Sequence, residues 1–346
     1  MSLGAERVLT QRELNRAVLD RQLLLARRRD SLPRGLERVA GLQAQYAPSM
    51  YIGLWSRLQG FERHQLTSAL EQRSVVQGTL MRVTIHLVSA GDYWPFAIAI
   101  RQARRERWLR ARREMSALEL RSLAAKARRR LADGPLPRAE LIEGMDSMAF
   151  NGIGMWLDLV RVPPAGTWER RRADIYGTAE TWTGPPSVTP AEGLEHLIRR
   201  YLQGFGPAAP GDIANWAGMP VRPVGTALER LELRRFRDEG GGLLVDLPRL
   251  ALPAADTPAP VRYLPTWDAT LLVHCRRALI LPEEHRPKIF HTKAPQSFPT
   301  FLVDGAVAGT WRHEGGRIEL QPFGRLARAD RDGLDEEGRR LAAFHA

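Results

Sequence analysis

The chain has 346 residues, 44% of them hydrophobic and 26% charged, a balance that supports a buried core and, by length, two to four modules. Its formal net charge of +12 points to a polyanionic partner, with nucleic acid first; arginine-favouring codon usage inflates the basic count, since only Lys126, Lys288 and Lys293 are lysine, but does not explain the excess over acids. No apolar run approaches the roughly 18 residues of a membrane span, the N-terminal MSLGAERVLTQREL lacks a signal-peptide stretch, and the single cysteine, Cys275, excludes an internal disulfide, so the sequence predicts a cytoplasmic protein.

Thr10-Gln11-Arg12-Glu13 is a capping-box pattern that opens a helix through LTQRELNRAVLDRQLL. Pro33 opens a second helix, LPRGLERVAGLQ, which runs toward GLQAQYAP at 41–48. A third helix is expected at about 49–58 and a fourth at about 63–72. The period then changes: VVQGTLMRVTIHLV (75–88) is β-branched and alternating, with Gly78 as its expected turn or bulge. Helices followed by a short hairpin describe a winged-helix unit, assigned to 1–91.

Residues 92–131 read as one long helical stretch, with Asp92 as a cap at its start. Segment 101–130 carries eleven Arg and one Lys against Glu106, Glu114 and Glu119. Arg101, Arg104, Arg105 and Trp108 fall at helical spacings. A solvated helix face is the ordinary fate of such a run; its density favours phosphate contact. LPRAELIEGM (136–145) and GIGMWLDLV (152–160) read as helices and GTWERRRADIYG (166–177) as a wing, which completes a second unit over 92–185. A capping box at Thr189–Glu192, helices near 206–219 and 223–232, and a hairpin over 234–247 make a third unit, 186–250. Arg234, Arg235 and Arg237 give its hairpin a basic stem suited to a DNA groove, although Asp238 and Glu239 at the tip oppose that contact. The proline-rich 252–265 reads as a linker to a β-rich module, 251–346, with hairpin turns at Asp304-Gly305 and Gly315-Gly316 and a closing helix. The expected fold class is α+β: three tandem winged-helix units and a C-terminal β-rich module packed against them.

GLQAQYAP with LMRVTIHLV, then AGTWERRRADIYG, RRYLQGFGPAAPGDIANWAG, RYLPTWDATLLVH and FLVDGAVAGTW, resemble the AlkZ-type winged-helix DNA-binding family over nearly the whole chain. The resemblance implies a C-shaped molecule with a basic concave surface, and an activity that releases alkylated purines from DNA, including interstrand crosslinks in one member. It also implies a Gln-apolar-Gln signature, carried here by Gln43-Ala44-Gln45.

The chemistry of two glutamines is limited. Residues at i and i+2 diverge on a helix but share a face of an extended segment, so both amides reach one site only if the chain loosens around Ala44. Pro48 disfavours helix at Ala47 and suggests such fraying. An amide is neither a good base nor an acid, but it can position a water. That suffices when the leaving group is a purine alkylated at N7 or N3, which carries a positive charge and departs as a neutral base. A lyase reaction needs an amine, and no lysine precedes Lys126.

The sequence therefore predicts a monofunctional DNA glycosylase acting on cationic alkylpurines in double-stranded DNA. Gln43 would orient water, and Gln45 would hold water or base. Arg82, Thr84 and His86, which alternate on the expected strand, would face the lesion or its phosphates. Arg101, Arg104 and Arg105 would grip phosphates, with Arg234, Arg235 and Arg237 in the third wing. Tyr51 and Trp55, four apart, read as core, and Asp268 in LPTWDATLL as structural. His274 beside Cys275 has no second ligand pair at metal spacing, and no Gly-rich phosphate loop occurs, so neither metal nor cofactor is expected. A nucleoid-associated monomer without membrane contact completes the expectation. Its rival is a non-catalytic winged-helix DNA binder, a regulator or lesion sensor; a protein-contact module stands third.

Overall fold

The capping box at Thr10 closes in the computed structural model of the protein, which describes residues 5–272, 277–290 and 297–346. Thr10 Oγ1 accepts from the Glu13 N–H, and Glu13 accepts from the Thr10 N–H at 2.8 Å. His274, Cys275, His291 and Lys293 lie outside the described residues.

The first unit holds β1 (Val8–Leu9), α1 (Gln11–Arg21), α2 (Leu32–Arg38), β2 (Leu42–Gln43), α3 (Ala47–Arg57), α4 (Arg63–Glu71), β3 (Val75–Thr79) and β4 (Ile85–Ser89). Then come α5 (Ala90–Ala111) and α6 (Ala117–Arg130). The single long helix expected over 92–131 is thus two. Ser116 and Glu119 form a capping box of their own, and the second helix restarts there. The second hairpin group comprises β5 (Leu136–Pro137), α7 (Arg138–Leu141), α8 (Ser147–Trp156), β6 (Leu159–Arg161), β7 (Ile175–Thr178) and α9 (Ala179–Thr183). The wing expected over 166–177 shortens to β7, because 166–174 folds into a loop whose Gly166 N–H donates to the Arg170 and Arg172 carbonyls.

The third group is α10 (Pro190–Phe205), α11 (Pro210–Ala217), α12 (Val221–Leu228), β8 (Arg234–Asp238) and β9 (Leu243–Asp246). The last is β10 (Arg262–Leu264), α13 (Ala269–Leu272), α14 (Arg286–Ile289), β11 (Thr300–Val303), β12 (Ala306–Glu314), β13 (Arg317–Pro322) and α15 (Arg328–His345). Strand was expected where α13 lies; Asp268 instead accepts from the Thr270 N–H and hydroxyl and holds a helical turn. The outcome is an α+β chain with three sheets among the described residues, ordered β1-β8-β9, β10-β11-β12-β13 and β2-β4-β3-β6-β7-β5.

The six-stranded sheet joins the first two groups, since β3 pairs with β4 on one side and β6 on the other. Gly78 is neither turn nor bulge. It sits inside β3 opposite His86 and Val160, and the Tyr93 ring of α5 packs over it. A Cβ there would lie 2.5 Å from that ring. The C-terminal module is fixed to the first group by a buried bidentate pair: Arg57 at the end of α3 donates twice to Asp268, each bond 2.9 Å. Tyr51 is fully buried and Trp55 nearly so, as core residues.

Gly78→Ala should cost about 1–3 kcal/mol, because the added methyl must displace Tyr93 or part the strands. Urea denaturation measures it, and a loss below about 0.5 kcal/mol would mean the ring moves aside without strain.

Candidate active site

The GLQAQ segment is extended rather than helical. Ala40 and Gly41 adopt left-handed φ angles of 61° and 79°, which stop α2 and turn the chain along β4. Gln43 then pairs with His86, and the Ala44 N–H donates to the Ile85 carbonyl. Pro48 lies in the first turn of α3 with Tyr46 as N-cap, so it opens the next helix and does not fray the previous one.

Both amides converge on the turn between β3 and β4. Gln43 is buried, and its Oε1 accepts from Arg82 Nη2 at 3.0 Å. Gln45 is exposed, and its Oε1 accepts from the Ile85 N–H at 2.7 Å. The turn itself is strained: Arg82 and Val83 have φ angles of 55° and 62°, and Val83 is β-branched. Such residues cost on the order of 1–3 kcal/mol each and persist only where surroundings over-determine them. Here they do. Arg82 Nη1 donates to the Trp216 carbonyl at 2.6 Å, near the C-terminus of α11. Gly218, left-handed at φ 75°, lets that helix end approach so closely that a Cβ would lie 2.9 Å from the Arg82 nitrogen.

This turn revises three expectations. Arg82 precedes the strand, so Arg82, Thr84 and His86 do not line one strand face. Arg82 is half-buried, faces no carboxylate among the described residues, and has a pKa lowered to about 10 by burial, so it remains a cation. Thr84 Oγ1 donates to the Met81 carbonyl at 3.0 Å and closes the turn. His86 is 3% exposed, with Nδ1 3.0 Å from the Thr84 carbonyl. Burial, then the Arg82 charge, push its pKa down to about 3. It is a neutral interior group that neither a phosphate nor a leaving base can reach, and it supplies no acid.

The basic helix is also used internally. Arg101 and Arg104 both donate to Asp158 at 2.7 Å, between α8 and β6, and Arg104 donates to the Thr79 carbonyl. Arg104 is 4% exposed, which removes it from phosphate contact. Arg105 donates to the Met155 carbonyl and lies over Trp156. Arg107 and Arg110, which the sequence reading did not single out, are exposed and line a groove of about 400 Å³ with Arg82 and Asn215. Their i, i+3 spacing on α5 was the available signal.

In β8, Arg234 pairs with Glu6 and lies over Phe236, Arg237 donates to the Gly241 carbonyl, and Arg235 is half-buried opposite Val245. Glu239 at the tip accepts from the Gln11 N–H, and Asp238 accepts from the Gly242 N–H. The acidic tip therefore docks this hairpin on the start of α1.

Gln45 borders a cleft of about 370 Å³ on the six-stranded sheet, walled by Trp108, Phe150 and Tyr176 and floored by Thr79 and Arg161. No carboxylate lines this cleft or the arginine groove among the described residues.

An α+β chain of this topology shares its fold with a DNA-processing enzyme. The structure of Streptomyces sahachiroi DNA glycosylase AlkZ matches it with a TM-score of 0.83 at 19% identity, covering 98% of this chain and 97% of that one. The chain belongs to the DNA glycosylase AlkZ-like family, whose model matches residues 36–344. No curated protein matches it by sequence.

His86 offers a pH test of the buried site. Its folded pKa, about 3, lies below the unfolded value near 6.5. Its contribution to stability is therefore complete above pH 6.5 and is lost as pH falls from there toward 3. Between pH 7.5 and 5.0 the wild type should lose about 2 kcal/mol more than His86→Asn. Denaturant midpoints at the two pH values check it; equal losses would place the imidazole in contact with solvent.

Proposed function

We propose that the protein is a monofunctional DNA glycosylase that hydrolyses the N-glycosidic bond of purines made cationic by alkylation at N7 or N3. The observation that carries this reading is a site without acids among the described residues: two glutamine amides held on one strained turn, a neutral buried histidine, and no carboxylate in the adjoining cleft or groove. Hydrolysis of an ordinary nucleoside needs a general acid for the departing base. A base that already carries a positive charge needs none, and water must only be aligned with C1′.

The roles follow exposure. Gln45 faces solvent, and its side-chain NH₂ makes no hydrogen bond among the described residues, so it is the amide that touches water or base. Gln43, buried against Arg82, sets the position of the turn and completes the water site. Arg82, Arg107 and Arg110 hold flanking phosphates in the groove beside α11. The three helix-then-hairpin groups act as tandem winged helices around the duplex, and bulky guanine adducts and crosslinks fall within the same chemistry. Lys126, exposed on α6, serves as a cation rather than a Schiff-base amine, and the product is an intact abasic site.

Release of N7-methylguanine from a duplex with one such lesion tests the reading. Gln43→Ala and Gln45→Ala should each lower the single-turnover rate roughly 100-fold, the scale of lost positioning, with duplex affinity little changed. The wild-type rate should stay flat from pH 6 to 8.5, since neither amide titrates and His86 is neutral throughout. Tight, salt-sensitive binding without release, from this duplex and from one with a bulkier or crosslinked guanine, would instead support a non-catalytic lesion sensor.

A further inference from the structure

The residue after Gln45 is Tyr46, which is 42% exposed. Every other tyrosine and every tryptophan among the described residues is buried or half-buried. A lone exposed ring needs no explanation by itself, but this one is held. Tyr46 caps the start of α3 in an extended conformation, φ −131° and ψ 122°, and its carbonyl accepts from the Ser49 N–H at 3.0 Å. Its hydroxyl accepts from Arg171 Nη1 at 3.1 Å. The ring is thus fixed at both ends, by the helix start at its backbone and by a guanidinium at its tip.

The 166–174 loop that supplies Arg171 is itself anchored. Trp168 is buried, edge-to-face with Tyr51 at 5.6 Å and with Phe344 at 5.7 Å. Thr167 Oγ1 donates to the Pro164 carbonyl at 2.8 Å and accepts from the Arg170 N–H at 3.3 Å. Of the loop's three successive arginines, Arg170 and Arg172 share Asp174, at 3.2 and 3.4 Å. Arg171, between them, is exposed and has no carboxylate partner among the described residues. An anchored loop therefore sets a guanidinium without counter-charge against an exposed phenol. Nucleic acid matches that pair: the cation attracts phosphates, and a π-face stacks on any base.

Neighbouring side chains on an extended segment point to opposite faces. Gln45 accordingly meets the β3–β4 turn, while Tyr46 is directed to the 166–174 loop. A nucleotide extruded toward Gln45 leaves a vacancy in the base stack, and the lost pairing and stacking oppose extrusion. A flat side chain that enters the vacancy recovers part of that loss. We propose that Tyr46 fills the space left by the extruded nucleotide and that Arg171 is the positioning residue that holds its ring there. The inference rests on the glycosylase reading and adds how the lesion is kept out of the duplex. A ring already fixed in place loses little freedom when it inserts, which favours the extruded state further.

A duplex with one tetrahydrofuran abasic analogue holds the vacancy already and cannot be cleaved, so it tests filling apart from the chemistry. The wild type should bind it more tightly than undamaged duplex. Tyr46→Ala should lose about 5- to 150-fold of that affinity, the range of one base–aromatic stack, with affinity for undamaged duplex unchanged. The tyrosine makes no side-chain cap bond to α3, so alanine leaves the helix start intact. A 2-aminopurine next to the analogue should be quenched by the wild type and stay bright with Tyr46→Ala. Single-turnover release of N7-methylguanine should fall by a similar factor in Tyr46→Ala. Tyr46→Phe and Arg171→Met each remove only the tether; they should give the same smaller loss, and the double variant no more than either. Tyr46→Ala that binds the analogue as the wild type does, or leaves the aminopurine quenched, would overturn the inference while leaving an active glycosylase. Losses that add in the double variant would overturn the role of Arg171. Wild-type protein that releases neither N7-methylguanine nor a bulkier guanine adduct would overturn the glycosylase reading and this inference with it.

Discussion

The rest of the molecule depends on the pairing of β3 with β6 at Gly78. That contact joins the first two helix–hairpin groups at their strands, beside the α5 arginines that reach Asp158. With it, their strands form one six-stranded sheet, and the cleft beside Gln45 gains a floor from both. Gly78 is required because Tyr93 lies against the strand where a side chain would project. Arg104 strengthens the same joint, since it reaches both the Thr79 carbonyl of one group and Asp158 of the other.

The third group acts on the site from a distance in sequence. Its helix α11 ends against the β3–β4 turn, where Gly218 permits close approach and the Trp216 carbonyl receives Arg82. Arg82 in turn holds Gln43. One guanidinium thereby links residue 216 to residue 43 through residue 82, and the left-handed pair at Arg82 and Val83 is the local cost of that geometry. Strain of this kind, stored beside two amides rather than in a distant loop, is consistent with a pre-organised water site.

The arginine excess divides into two populations with different physics. Arg21, Arg57 and Arg104 are interior and bind carboxylates, so their charge is cancelled and their planar forks serve as braces between groups. Arg82, Arg107, Arg110 and Arg161 line the groove or the cleft, where no carboxylate among the described residues offsets them. Net charge alone cannot separate the two. The positive field at the site comes from arginines without a carboxylate partner among the described residues; the dense stretch itself divides, with Arg107 and Arg110 in the groove and Arg101 and Arg104 bound to Asp158.

Local signals determined much of this protein. The capping boxes at Thr10 and Thr189, the glycine turn at 240–242, the hairpins at Asp304-Gly305 and Gly315-Gly316 and the core placement of Tyr51 and Trp55 follow from short-range stereochemistry and helical periodicity, and each was legible in the chain. The glutamine pair was legible as a candidate, but its geometry was not, because an extended or helical path at 41–46 depends on β4, more than forty residues away. Partners of charged groups were the least legible. Nothing near Arg104 in sequence predicts Asp158, nothing near Glu239 predicts the start of α1, and nothing near His86 predicts its burial. A side chain's availability is set by what the fold places against it, and those contacts span the whole chain. The sequence by itself therefore determined the elements, the excess charge and the two amides. Only the tertiary structure decided which arginines stand unpaired and which face of the sheet opens beside Gln45, since long-range packing fixes desolvation and counter-charge.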